Sequence, residues 1–262
     1  MSALSAPLGA FLFESLHILG GMGILSGRIL KDLFLGRFYL RLVVEQVYII
    51  GMKSLPLILI TATSIGMVMS LQFGLGLEKF GGKMYVPKLV TATILREMGP
   101  VFTSLMLAAR VGAGIASEIG SMVVTQQIDA IRALGTSPIK KIVIPRVLAC
   151  LITLPLLVGI TNFVATLGGL VIGTTELNLD ANFYYLKVLS TAGISDYVSG
   201  IGKSLFFALF ISIPACYYGL NVKNGTKEVG SATTKAVVVA SILILVGDFF
   251  LSKLFWVVER WV

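Results

Sequence analysis

The chain has 262 residues, of which 56 % are hydrophobic and 13 % charged, against roughly 25 % charged in a soluble domain. A mean hydropathy of +0.93 excludes a water-soluble globule and places the chain in lipid. The net charge of +8 comes without a basic patch interleaved with aromatics, which excludes nucleic acid and assigns the excess to loops facing anionic lipid. Cys150 and Cys216 both sit in apolar runs, no CxxC occurs, and His17 is the only histidine. Zinc and thiol redox chemistry are therefore excluded as well.

Residues 1–27 carry only Glu14 and His17 as ionisable side chains and no lysine or arginine, so no basic signal-peptide segment is expected. From Arg28 to Glu45 charge returns at helical spacing. Arg28, Lys31, Asp32, Arg37, Arg41 and Glu45 alternate with Leu33, Phe34, Phe38, Leu42 and Val43. This pattern predicts an amphipathic helix in the membrane interface, or else a helix that caps the bundle. Residues 1–50 are thus read as an N-terminal segment ahead of a membrane domain over 51–262.

Ser54–Leu77 is a charge-free run of 24 residues, enough to cross about 30 Å of hydrocarbon. Glu78–Lys88 follows as a polar turn with Gly81, Gly82 and Pro87 as breakers. A second span over 90–122 carries Arg96, Glu97, Arg110 and Glu118. Along it Ala108, Gly112, Ala116 and Gly120 recur every four residues, a small-residue seam for helix packing within or between subunits. Residues 147–175 form a third charge-free span with Pro155 as a kink. The polar stretch 176–200 has room for a short helix, 201–222 is a fourth span, 223–235 a turn-rich loop and 236–258 a fifth span containing Asp248. Trp256 and Trp261 mark the final interface. The expected fold is all-α, with five transmembrane helices preceded by an interfacial helix.

Between spans two and three lies a polar run, 126–146. Gln127–Leu134 forms two helical turns with Ile128, Ile131 and Leu134 on one side and Asp129 and Arg132 exposed, and Gly135 stops the helix. With the N-terminus in the cytoplasm, the cytoplasmic segments hold 12 Lys and Arg against 8 on the other side. That count puts the polar run in the cytoplasm and the C-terminus outside. No G-x-S-x-G, nucleophile–histidine pair or phosphate-cradling glycine–lysine loop is present, so any uphill transport draws on an ion gradient or on a separate ATPase. Arg96 and Glu97, at the outer end of span two, suit a lipid head group or a local ion pair; both readings stay open on the residues. Arg110, Glu118 and Asp248 are read as interhelical partners.

The spacing Asp129-Ala130-x-x-Ala133-Leu134-Gly135-Thr136-Ser137-Pro138, followed by Ile144-Pro145, resembles the coupling loop of ABC importer permeases, with Asp in place of the usual Glu. Leu95-Arg96-Glu97-Met98-Gly99-Pro100, Ala109-Arg110-Val111-Gly112, Ala116-Ser117-Glu118-Ile119-Gly120 and Pro145-Arg146 resemble the MlaE (YrbE) permease family over roughly residues 45 to 260. The resemblance implies a permease of the bacterial inner membrane that serves phospholipid traffic and outer-membrane lipid asymmetry. It implies a permease homodimer, an ABC ATPase dimer, a periplasmic MCE-domain hexamer and a small STAS-domain subunit. No cofactor is expected in this chain, ATP and magnesium residing on the ATPase. By the same resemblance Arg96 and Glu97 border the lipid cavity, with Leu71, Leu75 and Tyr85 as lining. Gln127, Ile128, Asp129, Ile131, Arg132, Leu134 and Gly135 would dock in the ATPase groove. Two other functions fit the residues: a secondary transporter working through Glu97, Glu118 and Asp248, and a membrane scaffold that moves nothing.

Overall fold

Hydrocarbon offers no water to pair with backbone N–H and C=O groups, so a chain this apolar must satisfy them within helices. The structure, a computed structural model, describes residues 5–35, 39–223 and 225–261, with side chains over 16–33, 39–223 and 225–258. Every regular element among the described residues is helical. In chain order these are α1 (Ser5–Leu35), α2 (Leu40–Glu78), α3 (Lys83–Val124), α4 (Gln127–Ala133), α5 (Ile139–Thr175), α6 (Ala181–Thr191), α7 (Ile194–Leu220) and α8 (Thr226–Trp261). Five of them, α2, α3, α5, α7 and α8, are long and apolar enough to cross a membrane, which makes this a multi-pass membrane protein.

Each of these helices starts earlier than the apolar run that predicts it. The expected spans 54–77, 90–122, 147–175, 201–222 and 236–258 are cores of longer rods, because polar ends are free to continue a helix outside hydrocarbon. One consequence concerns the polar run 126–146: its second half belongs to α5. Pro138 delays the helix by only one residue, and Lys140, Lys141 and Arg146 ride on α5 itself. A second concerns the N-terminal segment. The helix expected over 28–45 is divided, with Arg28, Lys31 and Asp32 at the end of α1 and Arg41 and Glu45 at the start of α2. The side chains of Glu14, Phe34, Arg37, Phe38 and Trp261 lie outside the described residues.

Prolines account for four of the five irregular turns inside these rods among the described residues; the fifth, the π-turn Ala108–Gly112 that carries Arg110, has no proline behind it. A proline has no N–H to give the carbonyl four residues back. Ahead of Pro56 the backbone tightens into a 3₁₀ turn at Met52–Ser54, where Leu55 N–H donates to the Met52 carbonyl instead. Ahead of Pro87 the same solution appears at Lys83–Tyr85. Ahead of Pro100 and Pro145 the chain instead widens into π-turns, Ile94–Met98 and Ile139–Val143. The first π-turn carries Arg96 and Glu97.

Small residues then bring the rods together. A Cβ on Gly66 would strike the Ala165 carbonyl, and one on Gly168 would lie 2.6 Å from the Thr63 carbonyl, so α2 and α5 touch backbone to backbone. Tyr184 docks α6 onto the smooth face that Gly169 and Gly173 leave on α5. The seam Ala108, Gly112, Ala116 and Gly120 packs within this chain: a Cβ on Gly112 would touch Ile211 of α7, and one on Gly120 would lie 3.2 and 3.3 Å from Val222 and Val229. Helix α7 runs through the middle, with Phe207, Ala208, Ile211 and Cys216 fully buried or nearly so.

Candidate functional site

Pro100 opens the site. Its missing N–H leaves the Arg96 carbonyl without its helical donor, and Lys203 Nζ on α7 donates to that oxygen at 3.1 Å. Lys203 is 0 % exposed, a position where an ammonium must be paired to be tolerated. It also donates to Glu97 Oε2 at 2.6 Å, to Ser252 Oγ at 2.7 Å and to Asp248 Oδ1 at 3.1 Å. Spans two, four and five are thereby tied to one nitrogen. Ser252 closes the network by donating to the Asp248 carbonyl at 2.8 Å.

Arg96 points the other way along the same turn and donates its Nε to Asp196 Oδ1, at the start of α7. Arg96 and Glu97, adjacent in the chain, each reach a partner about a hundred residues away. Gly200 permits this close approach, since a Cβ there would meet the Leu95 carbonyl. The result is a charged pocket of about 490 Å³ whose walls include Arg96, Glu97, Asp196, Ser252, Lys253 and Trp256. On the opposite side of the first turn of α7 lies a second cavity of about 590 Å³, walled by apolar side chains such as Leu95, Phe163, Leu167, Val188, Leu189 and Tyr197.

Leu71, Leu75 and Tyr85 stand apart from both cavities. They are exposed on the outside of α2 and at the start of α3. Of the other charges in the spans, Arg110 Nη1 donates to the neutral Ser54 hydroxyl, and Glu118 pairs with Arg146 at 2.8 Å. Glu97, Glu118 and Asp248, the three carboxylates that a proton-driven route would use, thus all face cations. Sequence reading left out Lys203, Asp196 and Ser252. A signal existed, since Asp196 and Lys203 are seven residues apart and so share a helix face. It was hidden because Asp196 falls in the polar stretch 176–200 and Lys203 at the start of the span expected over 201–222.

At the other end of α3, Gln126 adopts a left-handed backbone (φ 58°) and turns the chain into α4. Ile128 is buried in the core and Ile131 packs against it. Asp129 and Arg132 form an exposed pair at 2.9 Å, and Gln127 is exposed too. Gly135, at φ +73°, ends the helix: its N–H reaches the Arg132 carbonyl at 2.9 Å and that of Thr136 reaches Ile131 at 3.2 Å. This closes the last turn in the manner that a left-handed glycine allows. Leu134 does not join Ile128 and Ile131 on the inner side. It sits beyond the last turn and is 80 % exposed, an apolar knob with no cover.

Residues 43–254 match the family model described as permease MlaE. The chain is 38 % identical to a probable ABC transporter permease protein of Rickettsia felis, over 90 % of this chain and 92 % of that one. It is 36 % identical to a probable ABC transporter permease protein of Synechocystis, over 88 % of each chain. It is 31 % identical to the chloroplastic protein trigalactosyldiacylglycerol 1 of Arabidopsis thaliana, over 89 % of this chain and 67 % of that one.

Proposed function

The chain belongs to the MlaE permease family and is the permease component of an ABC transporter, and from that premise we propose that its cargo is phospholipid, carried between the inner membrane and the periplasmic side. The observation that carries this reading is the placement of a charged pocket in an apolar bundle, at the end remote from α4. Arg96 and Val124 are separated by 28 residues of α3, roughly 40 Å at 1.5 Å per residue. Cargo and motor are held apart by the thickness of a membrane. The name of the Arabidopsis relative, that of a glycerolipid, supports cargo of the lipid class.

Two permease copies pair so that the exposed Leu71, Leu75 and Tyr85 face one another and shelter acyl chains. Sheltering an acyl chain is favoured by about 0.8 kcal/mol for each methylene taken from water. The head group lodges against Arg96 and Glu97. The N-terminus and α4 lie in the cytoplasm, where a separate ATPase dimer grips Leu134, Gln127, Asp129 and Arg132. An MCE-domain hexamer receives lipid on the periplasmic side, and a STAS-domain subunit binds the ATPase. Closure of the ATPase pushes α4, and because Ile128 is rooted in the core, the push is transmitted into α3 and narrows the cargo cavity. Co-purification tests this directly. Detergent-extracted protein is expected to bring an ATPase and bound phospholipid with it; if neither came, the reading would be wrong.

A further inference from the structure

We infer that the Arg96–Glu97 pocket selects zwitterionic phospholipids that carry a protonated amine, such as phosphatidylethanolamine, over anionic ones such as phosphatidylglycerol. This deepens the proposed function and rests on it. Among the described residues, three cations, Arg96, Lys203 and Lys253, and three anions, Glu97, Asp196 and Asp248, line or directly adjoin the pocket. A net charge of zero gives no general attraction to an anionic ligand, so discrimination depends on where the charges sit.

They are separated. Arg96 donates to Asp196, whereas the single ammonium of Lys203 faces two carboxylates, Glu97 and Asp248. The inner wall is therefore short of one positive charge. Glu97 presents that deficit to the pocket, its side chain 35 % exposed. Lys253, one turn beyond Phe249 on α8, supplies the balancing charge at the rim. Phe249 and Trp256 also border the pocket. A carboxylate beside aromatic faces is an environment for an organic ammonium, and Arg96 with Lys253 is one for a phosphodiester. A phosphate joined to an ammonium by a short linker presents these two charges in the same arrangement. A phosphoglycerol head satisfies the cations and leaves the second carboxylate without a counter-charge.

The test exposes the purified permease–ATPase complex to mixed vesicles with equal amounts of phosphatidylethanolamine and phosphatidylglycerol, and quantifies the bound lipid. Phosphatidylethanolamine is expected to be enriched about tenfold, the ratio to which about 1.4 kcal/mol corresponds. Bound lipid in the vesicle ratio, or enriched in phosphatidylglycerol, would overturn the selectivity while leaving phospholipid transport standing. No bound lipid of either kind would overturn the proposed function itself. Two variants add a second axis. Glu97→Gln is expected to bring the ratio to near parity. Lys253→Gln, at the exposed rim, is expected to weaken binding of both lipids several-fold while folding normally. Unchanged retention of both lipids in Lys253→Gln would contradict the phosphate assignment.

Discussion

The two ends of this protein are built on opposite principles. Around Lys203 the charges gather on one fully buried ammonium, are shared among three spans, and are joined by contacts between residues 45 to 107 positions apart. At α4 the charges are exposed and the ion pair seen among the described residues, Asp129–Arg132, is local, three residues apart. One end holds the bundle together where its backbone departs from regular helix; the other presents side chains that the fold itself does not use. A buried hub cannot change without unsettling its neighbours, whereas an exposed handle can be altered freely until a partner is present.

The largest effect that would break this contrast lies at the hub. Lys203→Met leaves Glu97 and Asp248 facing each other in a low-dielectric interior, and loss of one buried partner costs about 3–5 kcal/mol. Thermal unfolding in detergent should shift down sharply. Lys203→Met combined with Glu97→Gln and Asp248→Asn should recover most of the loss, because the uncompensated charges are gone. A triple variant no more stable than the single one would show that Lys203 acts through its packing rather than its charge.

At α4 the expected stability changes shrink. Gly135→Ala forces a left-handed backbone on a residue with a Cβ, at a cost of about 1–2 kcal/mol, visible as fraying of the α4 terminus in hydrogen exchange. Gly135→Pro cannot reach φ +73° and should uncouple ATP hydrolysis from lipid movement. Asp129→Lys removes an exposed pair of the kind that contributes about 0.2–1 kcal/mol, so the permease should fold and melt nearly as before. Its ATPase coupling should nevertheless fall. Normal coupling in both variants would remove α4 from the motor interface.

The same contrast explains what could be read from the sequence. The five spans follow from hydropathy, and α4 follows from a glycine stop, a proline and helical spacing, all features contained within a dozen residues. Arg96 and Glu97 stood out for a local reason, as charges in an apolar span. Their partners did not. Pairing Glu97 with Lys203, or Arg96 with Asp196, requires knowing that α3 and α7 lie side by side, and no local pattern states that. The early starts of the helices were missed for a related reason: hydropathy marks where lipid is, not where the helix begins. Leu134 shows the limit of periodicity itself. Its spacing places it with Ile128 and Ile131, but the left-handed Gly135 ends the helix at Ala133 and leaves Leu134 outside.

The most direct measurement is phospholipid transfer from proteoliposomes holding the permease and its ATPase, with Leu134→Asp compared with the unaltered chain. A lipid permease gripped at α4 should transfer phospholipid only while ATP is hydrolysed. Leu134→Asp should abolish that transfer while phospholipid stays bound at the Arg96–Glu97 pocket. Transfer that continues without the ATPase, or that is unaffected by Leu134→Asp, would contradict the separation of motor and cargo on which the mechanism stands.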